Sequence, residues 1–472
     1  MLFNSLAFIL FLLVVFTFYW LLKPNWRWVF LLIASYTFYA GWGYWYVLLL
    51  FITSTIDYWA ALKIHKSKNE KHRKRFLALS VIANLSVLGA FKYFVFFYNS
   101  GASLANTLSG SSFHLLNDII IPVGLSFYTF QSISYTIDVY RKEVIPEKNL
   151  LKFSLFVSFF PQLVAGPIER FNNLMPQLLS KKIFSESMFT SGLKIMLWGF
   201  FKKIVIADRL ALIVDPLFAD VNSYHGFTLL FGGFLFVVQV YCDFSGYSDI
   251  ATGVSKWFGI NLSLNWRRPL LSKSLIEFWK RNHISITSWF RSYLYIPLGG
   301  NKCSYQRWLL NIFLVFLISG LWHGANFTFI IWGAMHGLVY IVELIIAKKN
   351  MNFKMPAILM HFYLLLFHTF SLIAFRAISA SDLGIIYNSI FFKFNALSSF
   401  NEIRNLADAF TLLVNGLLIT FLFLKEMQEE YVWFSKQEKL QTILRPAFYI
   451  SIIVVLFLLG NFNSNQFIYF RF

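Results

Sequence analysis

The chain has 472 residues, of which 58% are apolar, 20% aromatic and 13% charged, and its formal net charge is +19. A charged share of about half the usual ~25%, with 57 Phe, 23 Tyr and 15 Trp to accommodate, excludes an ordinary water-soluble domain. The excess Lys and Arg lie between apolar runs instead of along one helix face, which excludes a nucleic-acid surface and makes them anchors at membrane edges.

The first apolar run starts near Ser5 with no basic residue ahead of it and no small-residue cleavage site, so the expectation is a retained span and not a secretory signal. Runs of about twenty apolar residues, the length that crosses ~30 Å of hydrocarbon, then recur along the whole chain. Spans are predicted near 5–22, 28–42, 45–62, 76–98, 118–139, 151–165, 187–207, 227–250, 306–319, 325–347, 356–376, 406–424 and 446–461. Run 151–165, which meets Pro161 and Pro167, reads as a re-entrant or tilted piece, and about eleven true crossings are expected.

Residues 63–75 carry seven Lys or Arg against the single Glu70, whereas 99–117 is a Ser, Gly and Asn stretch without formal charge. The basic loop is expected to be cytoplasmic. Counting back from it puts Lys23 and Arg27 inside, the aromatic turn Gly41–Trp45 outside and the N-terminus outside. Stretch 425–445 has four basic and four acidic residues and orients nothing. No internal repeat or linker divides the chain, so 1–472 reads as a single polytopic domain, with its chemistry-bearing motifs in about 239–336. Cys242 and Cys303 form no disulfide framework and read as inert.

Polar groups inside apolar surroundings cost free energy unless paired or used, and here they concentrate between Gln239 and His336. Gln239 and Asp243 stand at i, i+4 on one helix face beside Tyr241, as either a polar wall of a substrate path or a hydrogen-bonded cluster holding helices together. From Asn265 to Arg307 eight Lys or Arg and one acid, Glu277, interleave with aromatics that include Trp279 and Trp289. Ile276, Trp279, His283, Ile286 and Phe290 fall on one helical stripe, and Glu277 pairs with Arg281 on another face, which predicts one buried amphipathic helix. His283 on its apolar side is a packing histidine or a site residue.

In Gly320-Leu321-Trp322-His323-Gly324-Ala325-Asn326 a histidine with small neighbours interrupts two apolar runs. Neutral imidazole, with its ordinary pKa of about 6.5, can take a proton from an attacking hydroxyl near neutral pH; the structural reading is a packing histidine beside a glycine kink. His336, thirteen residues on, lies roughly 220° around a continuous helix and would not share its face. His361 and His368 are seven apart with no acid beside either, so no metal site is expected. There is no G-x-S-x-G, phosphate loop or dinucleotide fingerprint.

At these residues the chain resembles the membrane-bound O-acyltransferase (MBOAT) family, within it the bacterial alginate O-acetylation branch. The resemblance rests on Pro122–Gln131, Phe160–Ile168, Tyr241–Asp249, Glu277–Ser285, Tyr293–Asn301 and Leu321–Asn326 with Trp332-Gly333, and on the closing Phe467–Phe472. It implies an all-α integral membrane protein with about eleven transmembrane helices plus re-entrant and amphipathic helices around a thin core pierced by a tunnel. His323 matches the family's catalytic histidine and His283 the second motif position, which is His in bacterial members and Asn in many eukaryotic ones. Trp322, Asn326, Asp243, Gln239, Tyr241, Trp279 and Trp289 are then candidates for the substrate path. Asn282 stands where bacterial relatives usually carry Trp, Ser292 where they carry Asp, Trp266–Leu270 where a Pro-Tyr ending is usual, and Arg471 where Gln is usual.

The implied activity is O-acetyl transfer from a cytoplasmic thioester donor, acetyl-CoA, with no permanently bound cofactor. The acyl group would cross a bacterial inner membrane toward an extracytoplasmic polysaccharide, through a partner of the SGNH-hydrolase type. Alternatives are D-alanyl transfer to teichoic acid from a carrier protein, a transporter or flippase using Asp243 and Asp249, and a scaffold for polymer export.

Overall fold

A computed structural model describes every residue except 110–112, 118, 165, 350–355, 432–437, 463–466 and 469–472, and gives only the backbone of 438–445. The start of the expected span at 118, Ala165 of the Phe160–Ile168 motif, part of 425–445 and the closing Tyr469–Phe472 therefore lie outside the described residues.

All regular structure among the described residues is helical. The first helices are α1 (Leu6–Leu21), α2 (Arg27–Ala40), α3 (Tyr44–Lys66), α4 (Glu70–Leu88), α5 (Phe94–Ser109), α6 (Leu125–Tyr140) and α7 (Leu150–Ser158). Then come α8 (Phe160–Leu163), α9 (Phe171–Leu179), α10 (Glu186–Phe200), α11 (Asp208–Ala219), α12 (Gly226–Trp257), α13 (Leu275–Arg281) and α14 (Ile284–Phe290). The last seven are α15 (Tyr305–His323), α16 (Phe327–Lys348), α17 (Ala357–Arg376), α18 (Ala380–Phe392), α19 (Ala396–Leu406), α20 (Ala409–Tyr431) and α21 (Glu438–Leu459). Seven described helical runs are long and apolar enough to cross a membrane: α3, Glu70–Ser109, α12, α15, α16, α17 and α20. Leu6–Leu21 and Pro446–Leu459 are shorter apolar helices. The protein is an all-helical, multi-pass membrane protein.

The chain packs as two compact units, residues 1–193 with 251–263, and residues 194–250 with 264–472. In the first unit the expected basic loop 63–75 shrinks to 67–69, because α3 continues to Lys66 and α4 begins at Glu70. Asn69 caps α4 by accepting from the Lys71 amide at 2.9 Å, and Lys63 and Lys66 sit in the last turn of α3, where the helix dipole favours cations. The span expected at 76–98 and the polar stretch after it form one helical run to Ser109 through a π-helical turn at Gly89–Tyr93. Asn99 and Asn106 then each bond both ways to a backbone residue of the segment that follows, Leu116 and Phe113, at 2.8–3.0 Å. That use of side-chain amides is what lets Asn persist within the helix.

Helix α7 stops at Ser158, since Pro161 has no amide to continue it. The freed Phe160 amide bonds to Ser35 Oγ at 3.1 Å, and Gln131 and Gln162 both donate to the Phe156 carbonyl, at 2.9 and 3.1 Å. Gly124 has φ +77°, and a Cβ there would stand 2.6 Å from the Leu163 carbonyl oxygen, so the turn into α6 requires glycine. The Pro122–Gln131 and Phe160–Ile168 motifs are thus two halves of one buried junction.

In the second unit α15 and α16 form a tight hairpin whose contact face is glycine. Cβ atoms built on Gly320 and Gly333 would lie 2.3 and 2.4 Å from backbone oxygens of the opposing helix. Small residues allowing close backbone approach are the usual means of joining helices in a membrane.

Candidate active site

A cavity of about 80 Å³ in the second unit, several times the ~10–15 Å³ one water needs, is lined by α12, the 266–270 loop, α13, α14, α15, α16 and α17. His283 and His323 both line it.

The expected continuous helix through His283 is broken at that residue, which takes the left-handed conformation (φ 45°, ψ 53°) between α13 and α14. The cause lies eighteen residues upstream. The Asn265 carbonyl accepts from the Ile284 amide at 2.9 Å, Asn265 Oδ1 accepts from the Ser285 amide at 3.0 Å, and the Arg267 amide donates to the Arg281 carbonyl at 2.9 Å. These bonds satisfy the ends of two short helices that would otherwise run as one. The anticipated Glu277–Arg281 pair forms at 2.6 Å, with Glu430 on Arg281 from the other side at 2.9 Å. His283 packs on Trp266, 5.6 Å between ring centroids, and burial pushes its imidazole down to about 3, so it is neutral at physiological pH.

His323 is the last residue of α15. Gly324 follows because a Cβ there would fall 2.0 Å from the Phe329 ring, and Asn326 restarts the chain as α16 by accepting from the Thr328 amide at 3.1 Å. The His323 ring lies 4.8 Å from Trp322, 5.1 Å from Trp332 and 5.3 Å from Phe375. Trp322 also contacts His283, at 6.5 Å, so one indole touches both imidazoles.

The chain break at 324–326 also alters the expectation for His336. The 220° separation assumed a continuous helix, whereas His323 and His336 sit on two arms of a hairpin and both line the cavity, each against a common neighbour, Trp332, at 5.1 and 4.6 Å between ring centroids. His336 Nε2 lies 3.2 Å from Ser371 Oγ, and His368, its ring tilted against that of Phe278 at 4.0 Å between centroids, completes this wall. Neither was singled out as a site residue; the available signal was the presence of imidazoles within apolar spans. His361 instead bonds the Ser272 carbonyl at 3.0 Å.

Of the remaining candidates, Tyr241 and Trp279 line the cavity and the others stand outside its wall. Tyr241 donates to Glu426, itself buried. Asp243 is 2.5 Å from Lys203 Nζ and accepts from the Ile468 amide at 2.8 Å, so it ties α12 to the π-helical turn after α10 and to the end of the described chain. This is the helix-holding reading of the 239–249 segment. Asp249 likewise pairs with Lys202 at 2.7 Å. Gln239 is buried, Asn326 is occupied as a helix cap and as a donor to the Ile378 carbonyl at 2.7 Å, and Trp289 packs on Phe290 and Tyr293. Trp279 and Trp332 bring buried indole N–H groups to the cavity wall with no hydrogen-bond partner among the described residues.

A family model described as MBOAT, membrane-bound O-acyltransferase family, matches residues 46–397. The chain is 43% identical over 345 residues to a probable alginate O-acetylase of Pseudomonas aeruginosa, covering 73% of this chain and 66% of that protein. It is 36% identical over 411 residues to a peptidoglycan O-acetyltransferase of Helicobacter pylori, covering 80% and 77%. It is 29% identical over 257 residues to a teichoic acid D-alanyltransferase of Bacillus subtilis, covering 51% and 63%. The match to the Pseudomonas protein thus spans just under two thirds of that relative's length.

Proposed function

The chain belongs to the membrane-bound O-acyltransferase family, and on that footing we propose that it transfers an acetyl group from a cytoplasmic thioester, acetyl-CoA, to a hydroxyl on the far side of a bacterial cytoplasmic membrane. The observation that carries this reading is the convergence of His323 and His283, forty residues apart, on one cavity. His323 acts as general base: it takes the proton of the attacking hydroxyl as the new C–O bond forms and the carbonyl electrons move onto oxygen. When that intermediate collapses the C–S bond breaks, and His323 returns the proton to the leaving thiolate.

His283, neutral and held rigidly by the Asn265 bonds, orients the thioester. The indole N–H groups of Trp332 and Trp279 are the donors available to the developing oxyanion, in a water-poor site where such donors act most strongly. The small cavity suits a two-carbon acyl group. The acceptor class is an extracytoplasmic polysaccharide, reached directly or through an SGNH-hydrolase-type partner. Similarity to alginate and peptidoglycan O-acetylating relatives over 73–80% of the chain, against 51% for a D-alanyl-transferring one, favours acetyl over D-alanyl.

The test is the acetyl-ester content of surface polysaccharide in cells carrying wild-type or His323→Ala chain at matched membrane abundance. Loss of ester with polymer still made is expected. Unchanged ester would overturn the acyl-transfer reading in favour of transport or scaffolding.

A further inference from the structure

Residues 63–75, where α3 ends and α4 begins, hold seven of the chain's 41 Lys and Arg and one acid, Glu70. That acid is already engaged. Arg73 pairs with it at 2.9 Å and the Tyr140 hydroxyl of α6 donates to it at 2.5 Å, while Arg73 also donates to the Tyr140 carbonyl. The other six cations, Lys63, Lys66, Lys68, Lys71, Lys74 and Arg75, are exposed, and none forms an ion pair among the described residues. The other unit handles its cations differently: Arg268, Arg281 and Lys425 are met by Glu277, Glu429 and Glu430. Six like charges gathered on one hairpin tip repel one another unless anions lie against them.

The depth of the tip is marked by an aromatic pair. Trp59 is 44% exposed and stands one turn before Lys63, whose ammonium lies 5.6 Å from the indole centroid, and Phe76 of α4 meets the same indole edge-on at 5.2 Å. Helix α3 is long and apolar enough to cross a membrane, and an exposed indole near the end of such a helix sits at headgroup level. At ~1.5 Å of rise per residue Lys66 is ~10 Å beyond Trp59 along α3, and Lys71 is ~8 Å beyond Phe76 along α4. All six cations therefore stand within roughly one Debye length, ~8 Å at physiological salt, of the headgroup layer.

We propose that this hairpin tip is a docking surface for anionic phospholipid, its six cations meeting the headgroup phosphates of the leaflet in which Trp59 sits. A phospholipid answers both parts of the surface, its phosphate the cations and its acyl chains the Trp59–Phe76 pair. A soluble phosphate compound answers only the first, and none of the six cations lines either described cavity. The surface belongs to the first unit and is independent of the acyl-transfer chemistry.

The test titrates the full-length chain, in a neutral detergent, with short-chain phosphatidylglycerol or phosphatidylcholine and counts bound lipid by native mass spectrometry. Phosphatidylglycerol is expected to bind at least tenfold more tightly than phosphatidylcholine, and the difference to shrink as salt is raised. A juxtamembrane cation is worth about fivefold in affinity for an anionic surface, so Lys68→Gln with Lys71→Gln should weaken phosphatidylglycerol binding roughly 25-fold, and adding Lys66→Gln and Lys74→Gln should erase the preference. The control removes the same charge from scattered exposed positions, Lys181→Gln, Lys302→Gln, Lys349→Gln and Lys393→Gln, and should keep the preference. Equal binding of the two lipids, a preference that survives the four-Gln tip variant, equal loss in the control, or displacement of the lipid by inorganic diphosphate at equimolar concentration would each overturn the proposal, the last in favour of a soluble phosphate ligand.

Discussion

Replacing Gly333 with Ala puts a methyl group where α15 and α16 touch. Its Cβ would stand 2.4 Å from the Phe316 carbonyl oxygen, 3.2 Å from that carbonyl carbon and 3.3 Å from the Leu317 Cα. Ordinary contact begins at 3.4 Å, so the oxygen is about 1 Å too close, and because every opposing atom is backbone no side chain can swing away. The helices must part by most of that distance, at a cost of about 1–3 kcal/mol for an overpacked interface. The same displacement separates His323 on α15 from Trp332 and His336 on α16, and a misplacement of ~1 Å at a reacting centre can cost ~10²-fold in rate. We expect the Gly333→Ala chain to reach the membrane, unfold several degrees below wild type in detergent, and carry out the proposed acyl transfer about a hundredfold more slowly. Gly384→Ala is the control: it too lies mid-helix, in α18, but a Cβ there meets nothing within 4 Å, so it should be neutral or gain up to ~1 kcal/mol. Wild-type rate and Tm for Gly333→Ala, or equal damage from both substitutions, would refute the close-packing argument.

Asn265→Ala should remove the acceptor that the Ser285 amide uses at 3.0 Å, cost about 1–2 kcal/mol by unfolding midpoint, and lower ester formation more than stability, because the strained backbone of His283 then loses one of its restraints. His283 also makes stability depend on pH. Its folded value of about 3 is below the ordinary ~6.5 of an unfolded chain, so its contribution is complete above pH ~6.5 and is lost as pH falls from there toward 3, by up to about 1.4 kcal/mol per unit. His283→Asn, which does not titrate and tolerates the left-handed conformation, should therefore reduce the Tm difference between about pH 7.5 and about pH 5; an undiminished difference would show that this imidazole is not buried neutral.

Hydropathy is a local property, and so the membrane class, the helical character and most span positions were legible residue by residue. The ends of elements were legible less often, because Asn69, Asn99 and Asn106 read as loop formers in isolation and act as caps or clamps only once a backbone partner is at hand. The neighbours of His283 and His323 marked them as candidates while leaving a packing role open at each, and the resemblance to a known family singled them out. Which other polar groups would meet them could not be read from the sequence. Asp243 and Gln239 share a helix face in sequence, yet Lys203 takes the aspartate away from the cavity, while His336 comes to the cavity because a three-residue break turns the helix back on itself.

Composition and periodicity by themselves determined that this chain lives in a bilayer as a helical protein, and resemblance to a known family picked out its two histidine-bearing motifs. The tertiary structure alone decided that those motifs share a cavity, that the hairpin bearing one of them is joined through bare glycine, and that the buried Asp57 is met by neutral hydrogen-bond donors of Ser80 and Asn84. The reason is physical: burial of apolar surface depends on what a residue is, whereas the fate of a polar group in an apolar interior depends on which partner the fold brings within 3 Å.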